Sequence, residues 1–167
     1  MKKKILHYLK EIILFILMMT LFANMISLYK SQELNSSNLP AIDTKLINND
    51  RFTTPIKKPI LVHIWATWCP TCKLEAGNIQ RVSQSYEVIT FAVKSGSDGE
   101  IKEFLEKNDL NFKVINDSSA KWASNFNISA YPTTFIYDKN GKLIFSEVGY
   151  TSTVGLYLRM WWASFRD

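Results

Sequence analysis

The sequence has few cysteines and histidines, and this scarcity limits the kinds of site that it can build. Among 167 residues there are two cysteines, Cys69 and Cys72, and two histidines, His7 and His63. A structural zinc ion normally takes four Cys or His ligands, so we predict no metal site. A bridge between Cys69 and Cys72 would close too short a loop to stabilise the fold appreciably. The pair is therefore better explained by redox chemistry.

The chain also lacks the basic surface that a nucleic-acid-binding protein needs. Its net charge of +5 is concentrated in residues 1–30, which contain five lysines and one glutamate. The other 15 basic and 14 acidic residues leave the rest of the chain at +1. We therefore predict no nucleic-acid partner. There are no repeats or low-complexity segments, and the length fits one domain with an N-terminal appendage.

The N-terminal segment, residues 1–30, is predicted to be a membrane anchor. Residues 12–29 contain no charged residue. As a helix this run would span about 27 Å, close to the thickness of the hydrocarbon core. Lys2, Lys3 and Lys4 precede it and should stay in the cytoplasm. We therefore expect a single-pass signal anchor in the bacterial inner membrane, with lipid around the helix and the domain in the periplasm or outside the cell.

A cleaved signal peptide is the alternative to this anchor. Its apolar core is normally shorter, and Ala23-Asn24-Met25 is only a weak cleavage site. Residues 31–49 are polar and show no sustained period, so we predict a tether there. Residues 50–167 are then predicted to form the folded domain.

Residues 61–72 (L-V-H-I-W-A-T-W-C-P-T-C) form an apolar run that ends in the two cysteines. Such a run, followed by a proline-containing turn and a helical pattern, predicts a buried strand that leads into a helix. Cys69 would lie at the N-terminus of this helix, where unpaired N–H groups and the helix dipole favour a thiolate. We therefore predict that Cys69 attacks a disulfide and that Cys72, one turn further, resolves the adduct.

The remaining pattern predicts an α/β fold with a mixed sheet. A β-α-β-α opening, a hairpin turn at residues 138–141 and a closing helix predict helices on both faces of this sheet. The expected strands are 88–93, 112–115, 133–137 and 143–148, and the expected helices run from the second cysteine to about 85, through 101–105, over 121–126 and from about 153. The candidate inward residues of the first and last of these helices are Leu74, Ile79 and Val82, and Val154, Leu158 and Trp161.

Two segments resemble a known family. Residues 65–72 resemble the W-A-x-W-C-x-x-C signature of thioredoxin-like proteins, and residues 131–138 (Y-P-T-T-F-I-Y-D) resemble the P-T-T-F-x-x-D segment of the membrane-anchored TlpA/ResA branch. Within this branch, Cys-Pro-Thr-Cys and residues 149–159 are most similar to the ScsD subfamily, named for suppression of copper sensitivity. The resemblance implies a thioredoxin-like fold and a reductase without a cofactor, recharged by a membrane electron-donor protein.

The resemblance also singles out residues near the dithiol. Glu75 matches the glutamate three residues after the second cysteine, which could relay protons during resolution; the alternative is a solvent-facing glutamate. His63 stands six residues before Cys69, where cytoplasmic thioredoxins have a buried aspartate. It could accept a proton or, when protonated, stabilise a thiolate; the alternative is the outer face of the strand. Gly77 replaces a helix-kinking proline, so whether the helix bends is left open.

Substrate binding is predicted around the second motif. In the thioredoxin-like arrangement the Tyr131–Pro132 bond is cis and this loop faces the dithiol. The Tyr131 backbone could then pair with an extended substrate peptide, while its ring narrows the range of substrates. Trp68 and Pro70, which flank Cys69, complete the predicted substrate-binding set. The alternative is that Pro132 only opens a strand and Tyr131 packs on the surface.

Three functions use these residues. The favoured prediction is a reductase of disulfides in protein substrates. A thiol oxidase would use the same dithiol in the opposite direction, because only the reduction potential decides between them. A binding module that captures Cu(I) through the two thiolates is the third.

Overall fold

The structure is a computed structural model that describes residues 2–31, 38–55 and 57–166. In the N-terminal helix, side chains are described for residues 7–19, 21, 22 and 25. In chain order the elements are α1 (Lys2–Ser31), β1 (Asp43–Lys45), β2 (Arg51–Thr53), β3 (Ile60–Trp65), α2 (Pro70–Ser83), β4 (Glu87–Val93), α3 (Asp98–Lys107), β5 (Lys113–Asp117), α4 (Lys121–Asn125), β6 (Thr133–Tyr137), β7 (Leu143–Val148) and α5 (Thr153–Phe165).

A five-stranded sheet in the order β5-β4-β3-β6-β7 forms the centre of the domain. β3 pairs in parallel with β4 and antiparallel with β6, which confirms the predicted mixed sheet. All six residues of β3 are buried. Its alternate side chains enter two cores: Leu61 and Trp65 face α2, α3 and α5, whereas Val62 and Ile64 face α4 and the β1–β2 hairpin. A strand covered on both faces has to be apolar throughout, which explains the uninterrupted run in the sequence.

The inward face of α2 differs in part from the prediction. Ile79 and Val82 are buried as expected, but Leu74 is 76% exposed. The buried stripe begins at Cys72 and continues through Ala76 to Ile79. Leu74 lies two residues from Cys72, and two residues correspond to about 200° around a helix, so it points to the opposite side. The helix runs without interruption past Gly77.

The inward face of α5 was predicted wrongly. Val154, Leu158 and Trp161 are exposed, and the side chains that enter the core are Leu156, Met160 and Ala163. Both stripes are apolar and have helical spacing, so periodicity could not choose between them. α2 and α5 pack against each other, and the chosen stripe contains the smaller Ala163 and the flexible Met160. One apolar stripe of α5 therefore remains at the surface.

The folded domain begins earlier than residue 50, where the prediction placed its boundary. β1 pairs antiparallel with β2, and Ile42, Leu46 and Ile47 are buried. The polar residues of this segment had suggested a tether, but these three apolar side chains cover the sheet. The boundary is therefore corrected to the stretch before β1.

The predicted anchor corresponds in position to α1. The side chains of Lys2, Lys3 and Lys4, and residues 32–37 of the predicted tether, lie outside the described residues. Within the described ranges, no helix combines the length and the apolar character needed to cross a membrane.

Candidate active site

Cys69 occupies the N-cap position of α2. Its backbone is extended, and Pro70 follows as the first helical residue, a position that suits proline because an N–H there would have no helical partner. The two sulfurs are not bonded to each other in this structure. The Cys72 N–H donates to Cys69 Sγ over 3.2 Å. The predicted junction of strand, turn and helix therefore places the two cysteines one turn apart, as their spacing indicated.

The two thiols differ in accessibility, and burial changes the acidity of Cys72. Cys69 is 6% exposed and Cys72 only 1%. Burial raises the pKa of the Cys72 thiol well above its ordinary value, and the hydrogen bond with Cys69 and the charge of Glu75 add to this rise. Cys72 therefore keeps its proton until an acceptor takes it. This asymmetry is consistent with the predicted attack by Cys69 and resolution by Cys72.

The loop before β6 faces the dithiol. The Tyr131–Pro132 peptide bond is cis, as the resemblance implied. Cys69 Sγ donates to the carbonyl oxygen of Tyr131 over 3.7 Å. On the other side of this loop, the Gly149 N–H donates to the Pro132 carbonyl over 2.8 Å. The loop thus connects the Cys69 sulfur to the segment that follows β7.

Aromatic side chains flank Cys69. Trp68 is 55% exposed, and its Nε1–H donates to the Lys94 carbonyl over 3.1 Å. Its ring meets that of Tyr131 edge to face, with 5.6 Å between the centroids. Pro70 is exposed on the other side of the cysteine. The structure therefore brings the predicted substrate-binding residues together around one sulfur.

Glu75 is fully buried, so the solvent-facing alternative is excluded. Its Oε1 accepts a hydrogen bond of 3.1 Å from the Thr151 N–H, whereas its buried Oε2 has no hydrogen-bond partner. Burial raises the pKa of this carboxyl to about 8, against a lowering effect of the Thr151 N–H and a raising effect of Glu147. A carboxyl with a pKa near neutrality and a free oxygen can take up and release a proton close to Cys72.

Asn78 is a residue of this site that the sequence analysis missed. Its Nδ2 donates to the Thr151 carbonyl over 3.0 Å and to the Tyr150 hydroxyl over 3.1 Å. Its Oδ1 accepts from the Thr153 hydroxyl over 2.7 Å. Asn78 therefore holds the segment 150–153 over Glu75. The signal in the sequence was a polar residue three positions after Glu75, on the same helix face.

His63 is buried in the sheet, so it does not lie on an outer, exposed face. Its Nδ1 lies 2.9 Å from Thr134 Oγ1 on the neighbouring strand. Burial lowers the pKa of this imidazole to about 3, so it is neutral at physiological pH and cannot stabilise a thiolate as a cation. Its use as a neutral proton acceptor stays a prediction.

The arrangement can carry out thiol–disulfide exchange with groups of the protein alone. It contains a sulfur at a helix N-cap that is the more exposed of the two, a shielded sulfur that needs a proton acceptor, and a buried carboxyl that can act as one. Among the described residues, no group of three or more His, Cys, Asp or Glu side chains is arranged to hold a metal ion. The two sulfurs by themselves could bind a soft ion such as Cu(I).

Comparisons with known proteins agree with this chemistry. The model of the AhpC/TSA family matches residues 32–146. A thioredoxin-like protein of Haemophilus influenzae is 33% identical over 109 residues, which cover 65% of each chain. The sporulation thiol-disulfide oxidoreductase A of Bacillus subtilis is 25% identical over 113 residues, or 63% of this chain and 68% of that one. The chain thus spans about two thirds of the length of each relative.

A solved structure supports the fold. The crystal structure of a secreted Mycobacterium tuberculosis disulfide oxidoreductase superposes with a TM-score of 0.64 at 22% identity, covering 72% of this chain and 94% of that one. This likeness confirms the predicted thioredoxin-like fold. The names of the M. tuberculosis protein and of the Bacillus subtilis relative both state thiol–disulfide or disulfide oxidoreduction, the reaction class that the dithiol predicts.

Proposed function

Because the chain belongs to the AhpC/TSA family, we propose that it is a thiol–disulfide oxidoreductase that acts on protein cysteines outside the cytoplasm. One observation carries the proposal: the pair Cys69 and Cys72 at the start of α2 faces the Tyr131–Pro132 loop, with Cys69 at the N-cap and the more exposed of the two. The extracytoplasmic location is supported by the M. tuberculosis structure, whose protein is named as secreted.

In the proposed reaction Cys69 attacks as a thiolate. It forms a mixed disulfide with one substrate sulfur, and the other substrate sulfur leaves as a thiolate that takes up a proton. Cys72 then gives its proton to Glu75 and attacks Cys69 Sγ, which breaks the mixed disulfide. The second substrate sulfur leaves as a thiolate and takes up the proton from Glu75 or water. The substrate disulfide is thereby reduced to two thiols, and the protein ends with a Cys69–Cys72 disulfide.

Glu75 gives this site a group that can exchange a proton with Cys72, in addition to the two cysteines themselves. Burial raises the pKa of both Cys72 and Glu75, and the ionised form of Glu75, which grows as the pH approaches its pKa of about 8, can take the proton that Cys72 gives up. We propose that Glu75 is the acceptor during reduction and the donor in the reverse reaction. Glu75 and the segment 132–138 also support placement in the TlpA/ResA branch, and Cys-Pro-Thr-Cys supports a ScsD-type member.

The test is turnover of a protein disulfide. With excess dithiothreitol, the full-length protein should accelerate the reduction of insulin, and Cys69→Ser should abolish the acceleration. Tight binding of one Cu(I) ion without turnover would instead support the copper-binding module. The reduction potential of the dithiol, measured on the same preparation, distinguishes a reductase from an oxidase. It should be about −270 mV for a reductase and about −120 mV for an oxidase.

We also propose that residues 1–30 anchor the protein in the inner membrane, with a membrane dithiol protein as its electron donor. The support is the uncharged run 12–29 with lysines before it. In the described part of α1, side chains such as Ile12, Phe15 and Leu17 are more than half exposed. Protease added to cells with a permeabilised outer membrane should digest the domain. Full protection of the domain would refute this topology.

A further inference from the structure

The C-terminal end of α5 carries three exposed aromatic side chains. Trp161 is 53% exposed, Trp162 49% and Phe165 70%. The rings of Trp161 and Phe165 are 5.0 Å apart, and the guanidinium of Arg166 lies 5.8 Å from the centroid of the Trp162 ring. A cluster of large apolar side chains at the surface usually marks a contact with a partner.

These aromatic residues lie at the end of the domain opposite the dithiol. α2 begins beside Cys69, and α5 passes along it in the same direction. Thr153 contacts Asn78 near the middle of α2, and the Tyr157 hydroxyl donates to the Arg81 carbonyl and contacts Ser85 just after α2 ends. Residues 161–165 come one turn later and therefore lie beyond the last turn of α2.

Neighbouring groups confirm this position. Ser164 lines a cavity together with Lys58 and Glu87. Lys58 precedes β3 and Glu87 is the first residue of β4, so the cavity lies at the amino ends of these two strands. The dithiol follows the carboxyl end of β3.

The chain enters the domain at the same end. Ile60, at the start of β3, pairs with Tyr137, at the end of β6, so the β6–β7 turn lies at the amino end of β3. The Leu39 N–H donates to the Gly141 carbonyl in this turn over 2.8 Å. Eight chain steps separate Leu39 from Ser31, the last residue of α1, and they can span at most about 29 Å.

The exposed basic side chains at this end of the domain suit contact with an anionic surface. Lys57, Lys58, Lys142 and Arg166 are exposed there. Glu87 in the same region forms an ion pair with Lys113. Tryptophan rings next to cations are favoured at the boundary between lipid headgroups and acyl chains, and anionic headgroups attract such cations.

We propose that Lys58, Trp161, Trp162, Phe165 and Arg166 form a face that lies on an anionic phospholipid bilayer. This inference rests on the proposed membrane attachment through residues 1–30. It adds an orientation: the domain rests on the membrane by its tether end, and Cys69 points away from the lipid toward soluble protein substrates. Free rotation of the domain on its tether would not produce this orientation.

Tryptophan fluorescence can test the face, because residues 1–31 contain no tryptophan and the signal therefore comes from the domain. The full chain is reconstituted into phosphatidylglycerol and phosphatidylcholine vesicles that contain brominated phospholipid, a short-range quencher. We expect quenching in the wild type and a decrease of about twofold or more in the Trp161→Phe, Trp162→Phe double variant, which keeps an aromatic face. Trp68→Phe is the matched control, because Trp68 is similarly exposed (55%) at the opposite end; it should leave the quenching unchanged.

The possible failures are distinguishable. If the chain floats with the vesicles but quenching is absent, or is lost in Trp68→Phe instead, the face is refuted and the attachment stands. If the chain floats as a dimer without quenching, a second copy covers the face and the lipid contact is refuted. If the chain does not float, the attachment and the face are both refuted, whereas insulin reduction by the same preparation still measures the redox function.

Discussion

The Sγ atom of Cys69 lies 3.7 Å from the carbonyl oxygen of Tyr131, 62 residues later in the chain. This contact joins the sulfur that we predict to attack to the backbone of the loop that faces it. We therefore predict that a substrate disulfide that approaches Cys69 passes along Tyr131, whose ring also meets Trp68. On this prediction, substrate recognition and the reacting sulfur share one short stretch of surface.

Tyr131→Ala should lower kcat/KM for a protein disulfide by about threefold to tenfold, the range expected when one aromatic contact is lost. A small disulfide that reaches Cys69 without contacting the ring should react at the wild-type rate. Insulin reduction and reduction of a small aromatic disulfide measure the two rates. Tyr86→Ala is the control, since it removes a similar edge-to-face contact with Tyr157 away from the dithiol. Equal losses for both substrates would mean that Tyr131 supports the fold rather than recognition.

Cys72→Ser should accumulate mixed disulfides with substrate proteins, whereas Cys69→Ser should form none. The reason is that Cys69 lies at the N-cap of α2 and is the more exposed of the two cysteines. Non-reducing electrophoresis after incubation with an oxidised protein substrate shows the adducts, and added dithiothreitol should cleave them by reduction. Equal trapping by Cys69→Ser would contradict the assigned roles.

Glu75→Gln should remove a loss of stability that the wild type suffers as the pH rises. The pKa of Glu75 is raised from 4.5 to about 8, chiefly by burial, so the folded state holds a proton that the unfolded state releases between these values. Stability is therefore full below pH 4.5 and falls up to pH 8, by up to about 5 kcal/mol. Urea unfolding of the reduced protein at pH 5 and pH 9 measures the change. A wild type and variant with the same pH dependence would show that Glu75 titrates normally.

Gly77→Ala should stabilise the domain by about 0.5–1 kcal/mol, because alanine favours a helix interior and restricts the unfolded chain. A Cβ atom added at Gly77 would meet no atom within 4 Å, so nothing in the fold opposes the change. Gly149→Ala is the opposite case: its φ of +97° strains any L side chain, and it should destabilise the domain. Thermal unfolding compares the two. A loss of stability in Gly77→Ala would indicate that this helix needs a weak point there.

The parts of this structure that the sequence predicted are those set by local pattern. The strand–turn–helix around Cys69 follows from an apolar run, a proline and a helical period, all within a few residues. The segment 150–153, which covers Glu75, could not be predicted in this way. Thr151 lies 76 residues from Glu75, and only the packing of α5 on α2 brings the two together. The same packing selected Met160 rather than Leu158 for the core. Periodicity shows that a face is apolar, but it does not show which of two apolar faces finds a partner.

A substitution of Asn78 tests whether its hydrogen bonds hold the segment 150–153 over Glu75. Asn78→Ala removes the hydrogen bonds to Tyr150, Thr151 and Thr153 and should lower the free energy of unfolding by about 1–3 kcal/mol, since buried partners lose their bonds. Gln80→Ala is the matched control: it also loses side-chain bonds from α2, to Asn111, but on an exposed face. Its effect on stability should be smaller.

If Asn78 had only a structural role, Asn78→Ala would change stability alone. The decisive measurement is therefore the rate at which Cys72 resolves a mixed disulfide, followed across pH. The segment 150–153 fixes the Thr151 N–H on Glu75 Oε1, and this bond opposes the rise in the pKa of Glu75. Asn78→Ala should therefore displace the pH profile of resolution in the wild-type background. In the Glu75→Gln background the same substitution should leave the profile unchanged, because the titrating group is gone. An equal displacement in both backgrounds would show that Asn78 affects resolution by another route than Glu75.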